Sequence, residues 1–82
     1  MAINEVVTGS GESTEASPTS SMSEFLIDKP SGGNVTLQYK PASWTTWRDI
    51  EGTNGPVPTP DLTAVYRFKY NGVTNTNVFF GP

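Results

Sequence analysis

The chain has 82 residues, no Cys, no His and a formal net charge of −3. Disulfides and thiolate metal sites are thereby excluded, and the commonest ligand for zinc, copper or iron is missing. All of the net charge lies in residues 1–23; residues 24–82 balance five acids against five bases, which leaves no electrostatic footprint for nucleic acid.

Residues 1–23 are small and polar, with Glu5, Glu12 and Glu15 as their only charges and six Ser and three Thr. Ile3, Val6 and Val7 form an apolar tip ahead of a Gly/Ser/Thr/Glu tract and Ser17-Pro18-Thr19-Ser20-Ser21. Such a composition buries too little apolar surface to offset its ordering entropy. The expectation for 1–23 is a flexible or partner-bound N-terminal arm, with a reach of about 20 Å. Met1 to Glu5 lacks the basic and apolar regions of a secretory signal, which predicts synthesis in a cytosol. No apolar run approaches the ~20 residues of a membrane span.

Residues 24–82 read as a compact β-domain. Ser23 to Lys29 alternates with Phe25 and Ile27 on one face, and Lys29-Pro30-Ser31-Gly32-Gly33 is a turn. Asn34 to Lys40 is the cleanest strand, with Val35, Leu37 and Tyr39 on one side. Trp44 to Ile50 predicts a third strand, although Trp44 and Trp47 differ in parity. After a Gly/Asn turn, Pro56, Pro58 and Pro60 keep the next stretch extended and outside any central ladder. Leu62 to Tyr70 and Val73 to Phe80 predict two strands joined by an Asn71-Gly72 hairpin. No stretch has helical periodicity. The fold expectation is all-β: a small β-sandwich or barrel with an extended N-terminal arm.

The predicted core comprises Val35, Leu37, Tyr39, Trp47, Tyr66 and Phe68, because so small a body must fill itself with its aromatics. Nucleophilic catalysis lacks its parts: with neither His nor Cys, a Ser or Thr would need a Lys base, and Lys40 and Lys69 read as solvent-facing. The chain is therefore expected not to be an enzyme and to carry no cofactor or metal. Asp49 and Glu51 read as solvated rim charges rather than a calcium site or half of a glycosidase pair. Trp44 and Arg48 are the candidates for a surface aromatic site, of the kind that stacks on sugars.

Asp61-Leu62-Thr63-Ala64-Val65-Tyr66-Arg67-Phe68 is similar to the segment leading into the F strand of immunoglobulin-like domains. That resemblance would make Tyr66 a tyrosine corner, put Phe68 where antibody domains have a cysteine, and make Trp47 the core Trp. The Ser/Thr/Gly-rich arm, the Cys-free β-body and hairpins such as Tyr70-Asn71-Gly72-Val73-Thr74-Asn75 resemble the capsid decoration (cement) proteins of tailed bacteriophages. This resemblance implies a structural virion protein, made in the host cytoplasm, that binds and stabilises the assembled capsid. Its partner would be the major capsid protein or another virion protein, often with the decoration protein as a trimer. The positions carried over are the tip residues Ile3, Asn4, Glu5, Val6 and Val7. The alternative is a carbohydrate-binding module or a tail or connector adaptor of a phage particle.

Overall fold

The computed structural model describes residues 2–28 and 32–81, which form an all-β domain curled into a half-barrel. Of the predicted turn Lys29-Pro30-Ser31-Gly32-Gly33, residues 29–31 lie outside the described residues, and Gly32 (φ 79°) and Gly33 (φ 26°) take left-handed conformations. The strands are β1 (Ile3–Glu12), β2 (Met22–Ile27), β3 (Asn34–Lys40), β4 (Arg48–Ile50), β5 (Asn54–Pro58) and β6 (Val65–Gly81). They make one six-stranded sheet in the order β4-β3-β6-β2-β5, with β1 alongside β6. Every pairing is antiparallel.

β6 is the spine. Its first half pairs with β3 from Val65↔Lys40 to Asn71↔Asn34, and its last residues pair with β2 from Val78↔Ile27 to Gly81↔Glu24. On its other side β1 follows it from Phe80↔Ile3 to Lys69↔Glu12. The predicted Asn71-Gly72 hairpin is thus corrected: the chain bends there and continues as one strand. Gly72 (φ 67°) and Asn75 (φ 43°) take the left-handed conformations that the bend requires. A hairpin would have placed the two halves edge to edge. The bend instead turns them face to face, so that Tyr66 and Phe80 stack at 4.6 Å and 15°.

The separate N-terminal arm is likewise corrected. Ile3 (1% exposed) and Val7 (3%) lie in the same core as Leu37, Phe68, Val78 and Phe80. The radius of gyration is 11.8 Å, close to the ~12 Å of a compact domain of this length, so no projecting arm contributes to it. Composition misled because the hydroxyls of this segment act as strand-pairing groups. The β1–β6 register slips between Val7 and Gly9 and again between Gly9 and Gly11, which breaks the main-chain ladder. Thr8 Oγ1 accepts from the Asn75 amide at 3.0 Å and donates to Asn75 Oδ1. Ser10 Oγ accepts from the Gly72 amide at 3.1 Å and donates to Asn71 Oδ1. Ser13 Oγ accepts from the Phe68 amide at 2.9 Å, while the Ser13 amide donates to the Phe68 carbonyl. Ala16 and Tyr66 then exchange a pair of main-chain bonds. Main-chain amides of β6, that of Phe68 buried and those of Gly72 and Asn75 exposed, are satisfied in this way where regular pairing fails.

The remaining strands follow their alternation. Ser23, Phe25 and Ile27 of β2 are buried and their neighbours exposed. β3 has the predicted bounds, with Leu37 fully buried and Val35 and Tyr39 packed against the core. Its opposite face carries Gln38, whose amide donates to Asp49 Oδ1 at 2.8 Å and whose oxygen accepts from Arg67 Nε at 3.0 Å. β4 is shorter than predicted, because a turn with Trp44 N donating to Pro41 O occupies the start of that stretch. A buried clasp fastens β2 to the end of β5: Thr59 Oγ1 donates to the Ser20 carbonyl at 2.6 Å and meets Ser23 Oγ at 3.1 Å.

Candidate functional site

Two features of this sheet are unfinished, and both lie where strands lack a neighbour. The half-barrel does not close, because β4 and β5 stand at the two ends of the strand order and do not pair. Along the other side of β6, β1 has a partner on one edge alone. Three strands therefore present free edges among the described residues, and their sequences treat those edges differently.

β4 has three residues, too few to template a long ladder. β5 has five residues, of which Pro56 and Pro58 have no N–H to offer. Short edges and edge prolines are the usual means of blocking strand addition. β1 has ten residues, no Pro, and neither Lys nor Arg. Its outward residues include Asn4, Thr8, and Val6 at 62% exposure. It is the longest free edge among the described residues, interrupted only by the two register slips beyond Val7.

The five predicted tip residues therefore divide by face. Ile3 and Val7 are core residues, a correction to their reading as partner contacts. Glu5 is turned partly inward, where its carboxylate accepts from the Thr14 amide and hydroxyl. Asn4 and Val6 face solvent. An alternating strand cannot offer all five to a partner at once.

The open seam between β4 and β5 forms a cleft of about 550 Å³. Its lining joins Tyr39, Pro41 and Ile50 from the β3–β4 side, Phe25 of β2, Gly55 to Pro58 of β5, and Ala64 and Tyr66 at the start of β6. Tyr39 and Tyr66 are stacked at 5.8 Å and 23°, continuing the row that ends at Phe80. Burial, with Tyr39 and Asp61 nearby, raises the pKa of the Tyr66 hydroxyl above its ordinary value. Asp61 stands at the rim in a turn, its Oδ1 accepting from the Thr63 hydroxyl at 2.5 Å and the Thr63 amide at 2.9 Å. Those bonds hold its carboxyl below the usual range and keep it ionised. Glu51 and Asn54 complete the rim.

Trp47, expected in the core, is half-buried and outside the buried cluster. Arg67 lies 4.0 Å and Lys40 5.5 Å from its ring centroid. Cation–π contact on the outward face of β3 and β6 shields the indole in place of core packing. Trp44 is 44% exposed, with the Arg48 guanidinium 5.2 Å from its ring, so the two predicted surface residues do meet. Asp49 is bonded to Gln38 while Glu51 lines the cleft, so this pair does not share one site. Among the described residues there is no group of three or more acids placed to hold a metal ion. Sequence reading missed the cleft because its walls come from segments far apart in the chain; the Pro56-Pro58-Pro60 spacing was its one visible trace.

No protein-family model, curated protein or solved structure matches this chain.

Proposed function

We propose that the protein is a non-catalytic attachment module: a structural protein of a tailed-bacteriophage virion that binds and stabilises the assembled capsid through the outer edge of β1. The observation that carries this reading is the ten-residue β1 edge, unpaired on one side and without the prolines that guard β5. Strand addition would use its main-chain groups for affinity and Val6 as the apolar side-chain contact. The virion setting is drawn from the resemblance in composition and style to decoration proteins. A trimer belongs to the same proposal, since joined copies recover in effective concentration what a single short edge lacks in affinity. The shell would gain stability by mass action, because only the assembled state is bound.

An immunoglobulin-like sandwich is the finer form of the fold within this proposal. The burial of Tyr66 and Phe68 two positions apart on one strand supports it. The single curled sheet and the stacking of Tyr66 on Phe80 depart from it.

Val6→Lys is the test. Val6 is exposed, so the variant should fold normally, yet a charge on the pairing edge should abolish co-sedimentation with assembled shells. Binding equal to the wild type would overturn the reading. Copy number per particle then separates a capsid protein, present in dozens or hundreds, from a tail or connector adaptor.

A further inference from the structure

The cleft between β4 and β5 is a second unfinished feature, independent of the β1 edge. Its volume of about 550 Å³ falls within the ~300–1,000 Å³ of sites that take drug-sized ligands. It is much larger than one ammonium or one water needs. Its walls are rings, aliphatic side chains and proline, which favour an apolar body.

Its charged groups are of one sign, although Asn54 and two tyrosines also bring donors. Four prolines, Pro41, Pro56, Pro58 and Pro60, line it, and none has an amide donor; the Pro41 carbonyl is already bonded to the Trp44 amide. The two charged side chains at the rim, Glu51 and Asp61, are both acids, and no Lys or Arg lines the cleft among the described residues. Lys40 and Arg67, each next in sequence to a lining residue, lie against the Trp47 ring, and Arg48 lies against the Trp44 ring. A site of aromatic faces, carbonyls and carboxylates is complementary to a cation with several donors. Arginine meets that need better than lysine, because its planar guanidinium both stacks on rings and bonds carboxylates.

We propose that this cleft binds an extended, basic segment of a partner protein, with an apolar or proline residue lying against Tyr39 and Phe25 and an arginine reaching Asp61 and Glu51. The scarcity of donors on the β5 wall disfavours a strand-paired mode. A polyproline II segment, which makes no main-chain ladder, fits that wall without loss.

The test titrates the full chain with acetyl-Pro-Leu-Pro-Arg-amide while observing the methyl resonances of Ala64, Val57 and Ile50. A control peptide has citrulline in place of arginine, and free arginine tests the cation without its apolar body. The expected result is saturable shifts confined to those methyls, with the citrulline peptide and free arginine both weaker. Glu51→Gln, an exposed change, should weaken the arginine peptide about two- to fivefold and leave the citrulline peptide unaffected. Val6→Lys should bind the peptide normally, which separates this site from the β1 edge. Absence of saturable shifts would overturn the proposal. So would equal binding of the arginine and citrulline peptides, or free arginine binding as well as the peptide.

Discussion

Ile3 and Val6 sit three residues apart on one strand and should respond to the same substitution in opposite ways. Ile3 is 1% exposed, stands opposite Phe80 and belongs to the main core cluster. Val6 is 62% exposed on the other face. Truncating a buried Ile to Ala costs about 2–5 kcal/mol, from lost burial and from the cavity left behind. A domain of this length has a total stability of about 4–12 kcal/mol, so Ile3→Ala removes a large share of it. With a urea dependence of about 1–3 kcal/mol per molar, the unfolding midpoint should fall by roughly 1 M or more. Val6→Ala should change stability by no more than about 0.5 kcal/mol. The assay is urea denaturation of both variants followed by far-UV circular dichroism. If Ile3→Ala unfolds at the wild-type midpoint, β1 does not contribute to the core and the reasoning fails.

The buried clasp predicts that Thr59→Val, which keeps the volume, destabilises by about 1–3 kcal/mol, because the Ser23 hydroxyl loses its partner; thermal unfolding measures it. Gly33→Ala should cost at least about 1 kcal/mol, since φ is +26° and a Cβ there would overlap the Asn71 carbonyl oxygen; an unchanged melting temperature would contradict the close approach of Gly33 to β6. The raised Tyr66 hydroxyl predicts an alkaline loss of stability. Folding favours the neutral phenol, so its contribution is fully present below the ordinary tyrosine value of about 10 and disappears as pH rises through the higher folded value. Denaturation midpoints at increasing alkaline pH should fall more steeply in the wild type than in Tyr66→Phe.

Strands that alternate cleanly were legible. Phe25 and Ile27 of β2, and Val35, Leu37 and Tyr39 of β3, gave the right face and nearly the right bounds, because one buried face leaves a period of two in the sequence. β1 was not legible, although Ile3 and Val7 share a parity. Gly9 and Gly11 interrupt the pattern beyond them, and its hydroxyls read as linker composition until their partners on β6 are known. Asn71-Gly72 has the local chemistry of a hairpin, but a hairpin needs its two flanks to pair with each other. Here β3, β2 and β1 take those pairings instead. Trp47 shows the limit of counting aromatics: an indole between Lys40 and Arg67 is shielded without entering the core. The cleft assembles residues from five strands and loops, so no local window could have revealed it.

The central claim is that residues 3–12 serve twice, as a strand that completes the core and as the edge by which the protein attaches. Amide hydrogen exchange along β1, measured on the free protein and then on protein bound to assembled shells, tests both halves. The account predicts alternation in the free protein: amides bonded to β6 exchange slowly, and those on the outer edge exchange fast until binding slows them. Fast exchange throughout residues 3–12 of the free protein would contradict the first half. Outer-edge amides that stay fast on the shell would contradict the second.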